Sequence, residues 1–232
     1  MPSARNADAA KAKESNLYAI RRWVGNSKDW LNAFLVAVCA DINIVSVIAM
    51  GSAVRERGHR RSDFDLLVAY REKRPYIDAP IEVDVRLYSA DTVEEKLAGG
   101  NEIVGWAVRF GYPLYDTDQF WQIIEDKWKD RVPLPSASEA AERARKSLVS
   151  AQEMLEIGDD SAADDLLLAA ATQLVREKLI KHGVFPASRP ELPLQLLATC
   201  PGDPLAGMLE DCMYTNLSAA HLFGRIKAVG SR

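Results

Sequence analysis

The sequence predicts an α+β protein in which a half that mixes strands and helices is followed by an all-helical half. Three observations carry this. Short runs with strand character, at 44–50, 63–70 and 81–87, all fall within the first 132 residues. The segment Val-Pro-Leu-Pro-Ser at 132–136 has the composition of a linker. Beyond it no strand pattern recurs, and apolar residues return at helical intervals instead. The implied division is 1–132 and 133–232.

The elements follow in order. Leu17, Ile20, Val24, Leu31, Phe34, Leu35 and Val38 recur at helical spacing from about Asn16 to Ala40. Gly25-Asn26-Ser27 breaks this into two helices, the second capped by Ser27 or Asn26. The β-branched run from Ile44 to Met50 predicts a buried strand that turns at Gly51-Ser52. Residues 55–61 are polar and basic, and a second strand runs from Asp63 to Tyr70. A proline- and charge-rich loop occupies 71–80. The run from Ile81 to Leu87 alternates throughout. Ile81, Val83, Val85 and Leu87 share one face; Glu82, Asp84 and Arg86 share the other. Short helices are expected at 90–99 and 102–110, an edge strand at 111–115, and a helix at 118–128 capped by Asp116, Thr117 or Asp118.

In the second half, Leu148, Ala151 and Leu155 mark a helix over 138–157. Leu168, Ala171, Val175 and Leu179 form a stripe over 161–182, ended by Gly183. Further helices are expected over 192–199 and within 206–229.

Composition narrows the function classes. The 232-residue chain carries a net charge of −4, which disfavours a nucleic-acid partner, since such proteins carry a basic stripe. Cys39, Cys200 and Cys212 are far apart and lack CxxC spacing, so they read as reduced core thiols rather than a disulfide framework or zinc site. No apolar run approaches the roughly 18 residues that span a bilayer. The first fifteen residues lack a signal-peptide core. The expectation is a soluble cytoplasmic protein with no membrane partner.

The candidate chemistry lies on the three strands. The first delivers Gly51 and Ser52 at its end. The second opens with Asp63-Phe64-Asp65, whose acids point to one side about 6.6 Å apart, with Phe64 turned into the core. The third carries Asp84 at its centre, with Glu82 as a rival on the same face. If the third strand lies beside the second, three carboxylates converge. Such a cluster demands a cation, and Mg²⁺ with its preference for oxygen ligands suits it. Two such ions fit in-line displacement at phosphorus. Glycine lets backbone approach a phosphate, and the serine hydroxyl can donate to it. Arginines at 55, 57, 60 and 61 lie close by, and arginine fits phosphate bidentately.

Gly51-Ser52, ten intervening residues, Asp63-x-Asp65 and an acid on a following strand resemble the DNA polymerase beta-like nucleotidyltransferase superfamily, in its minimal or aminoglycoside-type branch. The resemblance covers about residues 44–87. It implies a mixed-sheet nucleotidyltransferase domain, with Asp63, Asp65 and Asp84 as catalytic metal ligands. It also implies that Gly51 and Ser52 hold the triphosphate; from the basic segment beside them, Arg55 and Arg61 are the candidate arginine contacts. The chain departs from the family pattern by placing Ala53-Val54-Arg55-Glu56 before Arg57-Gly58. The stretch Ala169 to Gly183 is similar to the helical bundle of the HEPN type, which implies an acceptor-binding role for the second half. Arg176 and His182 are separated by five residues rather than that family's four, so ribonuclease activity is not expected.

The resemblance thus implies a Mg²⁺-dependent transfer of a nucleoside monophosphate, AMP from ATP, to a hydroxyl with release of pyrophosphate. The acceptor would be a small molecule such as an aminoglycoside, or a protein. The alternative is a non-catalytic nucleotide-binding or antitoxin-like module acting on a partner protein. Glu177, on the polar side of its predicted helix with Gln173 and Lys181, is a further candidate for acceptor contact.

Overall fold

The computed structural model describes residues 27–55, 63–215 and 217–230. The chain divides into two compact units, one ending at Pro133 and the other beginning at Leu134. The fold is α+β: a mixed four-stranded sheet with helices, then an all-helical bundle.

In the first unit α1 spans Lys28–Ala40, β1 Ile44–Met50, β2 Phe64–Tyr70, β3 Val83–Ser89, α2 Ala90–Ala98, α3 Glu102–Phe110, β4 Tyr112–Asp116 and α4 Phe120–Trp128. A 3₁₀ turn, Ser52–Arg55, follows β1. The strand order is β3-β2-β1-β4. β1 is antiparallel to β2 and β4, and β2 is parallel to β3. All seven residues of β1 are buried, which explains its unbroken apolar run: a central strand has no solvent face.

Alternation splits the sheet residues between two cores. Val47, Ala49, Phe64, Leu66, Val68 and Val83 pack with Leu31 and Val38 of α1. Ile48 and Leu67, paired across β1 and β2, turn to the opposite face. There Ile48 reaches Gly111 so closely that a Cβ on that glycine would stand 2.7 Å from it. The acids Asp65 and Asp84 belong to this second face.

Several expected boundaries move. β3 begins at Val83, not Ile81; Ile81 is 99% exposed in the turn before it. Asp84 is therefore the second residue of β3, not its centre. Asp63 stands just ahead of β2. The expected helix around Leu17, Ile20 and Val24 lies outside the described residues. Ser27 does occupy the N-cap position of α1, but its side chain makes no cap bond there. At α4 the capping carboxylate is Asp116, which accepts from the amides of Trp121 and Gln122 at 2.8 and 3.2 Å.

The second unit contains α5 Ala137–Ile157, α6 Asp160–Lys181, α7 Leu192–Thr199, α8 Pro204–Tyr214 and α9 Ala219–Gly230. Its core joins Ala151, Leu167, Ala171, Val175, Leu179, Leu192, Leu196, Met208, Leu209, Leu222 and Ile226. α6 is buried well beyond the predicted stripe, at Ala163, Ala170, Thr172 and Ile180 also. It is the central helix, with α5, α7, α8 and α9 packed around it. The α5–α6 connection turns at Gly158, whose φ of +81° suits glycine, and Asp159 caps α6 by accepting from Ala162 N at 3.0 Å. The reading of the cysteines as core thiols fails for Cys39, which is exposed, while Cys200 and Cys212 are partly buried. Among the described residues no helix is long and apolar enough to cross a membrane.

Candidate active site

The end of β1 and the starts of β2 and β3 meet at one edge of the sheet because β1 runs against β2 and β2 runs with β3. Met50 pairs with Asp65, and Asp65 pairs with Asp84. Partners in register project to the same face. Asp65 thus stands between the end of β1 and Asp84, with Asp63 two residues before it on the exposed approach to the strand. Phe64 between them is buried at 4% exposure, as its alternation demands.

Gly51 follows β1 with φ +79°, a conformation that favours glycine. A Cβ at this position would stand 2.2 Å from Asp65 Oδ2. The absence of a side chain at Gly51 is therefore what lets the Asp65 carboxylate lie against the main chain. Ser52 opens the 3₁₀ turn that leaves the site and is half-buried. At its far end the Arg55 guanidinium carbon sits 4.6 Å from the centre of the Phe110 ring, at the C-terminus of α3. That contact is a cation–π pair. Trp106 backs the ring, centroids 5.2 Å apart. Arg61, with Arg57 and Arg60, lies outside the described residues.

Asp84 is engaged by Arg86, its neighbour on the same strand face, in an ion pair with both side chains more than a third exposed. Among the described residues no three His, Cys, Asp or Glu side chains are gathered to hold a metal ion between them. The register brings Asp65 and Asp84 together, but the Asp84 carboxylate is turned onto Arg86. Arg86 is the site residue that sequence reasoning missed. Its signal was present, since Arg86 shares the alternating face of Asp84 two residues on.

Glu82, the rival to Asp84, is committed elsewhere. Its carboxylate accepts from Ser27 Oγ at 2.8 Å. That hydroxyl, followed by its own backbone amide, holds the Glu82 carboxyl below its ordinary pKa. Glu82 lies in the turn before β3, and its carbonyl accepts from Phe64 N at 2.9 Å, which starts the β2–β3 pairing. Trp121 and Trp106 serve packing, at 1% and 7% exposure, and Trp30 stacks on Phe34 with centroids 5.0 Å apart. Glu177 is ion-paired with Lys181 at 2.5 Å on α6.

No family model and no curated protein matches the chain. Among solved structures it is similar to a nucleotidyltransferase-like protein from Exiguobacterium sibiricum 255-15, at 13% identity and a TM-score of 0.42. The match covers 91% of this chain and 73% of that one.

Proposed function

We propose that the chain is a Mg²⁺-dependent nucleotidyltransferase that moves a nucleoside monophosphate, AMP from ATP, to a hydroxyl acceptor and releases pyrophosphate. The observation that carries this reading is the register of Asp65 with Asp84 beside the side-chain-free Gly51. Two acids in register on neighbouring strands would offer a divalent cation oxygen ligands from two sides.

By chemistry Asp63, Asp65 and Asp84 would suit a hard divalent ion, because they offer only carboxylate oxygens, although the three are not gathered around one point among the described residues. Asp84 would exchange Arg86 for the ion. That exchange is easy, since an exposed ion pair contributes only about 0–1 kcal/mol. Bound Mg²⁺ would supply positive charge to the triphosphate and the departing pyrophosphate. The chain's own part is positioning. Ser52 would offer a hydroxyl to a phosphate oxygen, Gly51 leaves room beside the main chain for the Asp65 carboxylate, and Arg55, held over Phe110, would add positive charge. Arg86, once released from Asp84, becomes a further cation for it. The acceptor is a hydroxyl of a small molecule such as an aminoglycoside, or of a protein.

A second reading, a nucleotide-binding or antitoxin-like module without turnover, is favoured by the Asp84–Arg86 pair, which occupies one of the three acids. Labelled ATP, Mg²⁺ and a panel of hydroxyl acceptors separate the two. Labelled product with pyrophosphate supports the enzyme. Tight binding without pyrophosphate supports the module, and the absence of both product and binding refutes both readings.

A further inference from the structure

Away from the sheet edge, the second unit brings a thiol and an imidazole together at the C-terminus of α6. His182 Nδ1 lies 2.8 Å from the carbonyl oxygen of Lys178. A carbonyl only accepts, so Nδ1 carries the ring proton and Nε2 of the neutral ring keeps its lone pair. Nε2 stands 3.4 Å from Cys200 Sγ. The thiol therefore donates to a base whose tautomer is set by the helix end. A nucleophile, a base and a third group that orients the base are the recurring parts of an activated thiol.

The turn that presents Cys200 is fastened in place. Cys200 N donates to Leu196 O at the end of α7, and Asp203 N donates to Cys200 O at 3.2 Å. The Asp203 carboxylate is nearly buried, accepts from Leu205 N at 3.0 Å to cap α8, and pairs with Lys178. The residue that orients His182 through its carbonyl thus also anchors the Cys200 turn through its ammonium. Cys200 packs at the edge of the helical core, while His182 is exposed, so a small reagent can reach the pair from solvent.

We propose that Cys200 and His182 form a base-assisted thiol site that accepts reversible modification by a small-molecule disulfide. In the step, Cys200 Sγ attacks one sulfur of the reagent as its proton passes to His182 Nε2. The new Sγ–S bond forms, the reagent's S–S bond breaks, and the leaving thiolate recovers the proton from the imidazolium. Cys200 is oxidised to a mixed disulfide, and one half of the reagent is reduced to a thiol.

The other two cysteines are internal standards. Cys39 is exposed near the end of α1, and Cys212 is partly buried, with its thiol pushed up to about 11 by burial and then by Asp211. The test treats the reduced full chain at pH 7 with glutathione disulfide and times the adduct at each cysteine by peptide mass spectrometry. The expected result is an adduct at Cys200 forming at least about tenfold faster than at Cys39, reversed by dithiothreitol. In His182→Asn the Cys200 rate should fall to that of Cys39 or below. A Cys200 rate no greater than that of Cys39, or one unchanged in His182→Asn, overturns the proposal. Cys212 should stay unmodified in a packed protein. If it becomes reactive in the variant, the ratio of Cys200 to Cys39 in the unsubstituted chain decides alone.

Discussion

The Asp65 carboxylate rests against Gly51, two residues joined across the β1–β2 edge by the pairing of Met50 with Asp65. Replacement by alanine meets two penalties at once: a φ of +79° and a Cβ inside the space of Oδ2. Gly51→Ala should lower unfolding free energy by about 1–3 kcal/mol and shift or expel the Asp65 side chain. Urea unfolding together with Mg-dependent nucleotide binding checks this. An unchanged midpoint with unchanged binding would contradict the geometry.

Asp84 tests chemistry apart from stability. Its partner Arg86 is exposed, so Asp84→Asn should cost less than about 1 kcal/mol in stability. Nucleotide transfer should nevertheless fall by about 10²-fold or more, since the substitution removes charge from the place where it is needed. Thermal unfolding and a pyrophosphate-release assay read the two effects separately.

On the proposed function, Arg86 would compete with a cation for Asp84. Arg86→Gln should therefore lower the Mg²⁺ concentration that half-saturates ATP binding, as measured by titration calorimetry. A rise in that concentration would mean that Arg86 serves the nucleotide more than it restrains the acid.

Glu82 gives a pH signature. Its carboxyl is held below the ordinary range by the Ser27 hydroxyl, so the native state favours the ionised form. A lowered carboxylate pKa contributes stability above the unfolded value, near 4.3, and that contribution is lost as pH falls through the folded value. Ser27→Ala should thus reduce stability at pH 7 and make little difference at acid pH, once Glu82 is protonated in the folded state too. Equal losses at both pH values would assign the effect to packing instead.

Much of the fold was legible because secondary-structure period is a local property. The runs at 44–50, 102–110 and 192–199 match β1, α3 and α7 at both ends. Gly51 was legible as a turn residue, and Phe64 as a core residue between two acids, for the same reason. Ile81 misled because alternation continues past the point where pairing stops. β3 begins where Phe64 meets Val83, and a residue without a partner strand has no face to bury.

What the sequence by itself determined is the order and type of most strands and helices and which of their faces are apolar; where each strand begins, and so that Asp63 and Glu82 fall just outside β2 and β3, it did not. Only the tertiary structure decided that Asp65 and Asp84 are neighbours, that Arg86 takes the Asp84 carboxylate, that Ser27 claims Glu82, and that His182 stands against Cys200. Periodicity arises from the geometry of one chain segment. Register and side-chain partnership depend on residues far apart in the chain, as Ser27 and Glu82 are at 55 positions, and no local pattern encodes them.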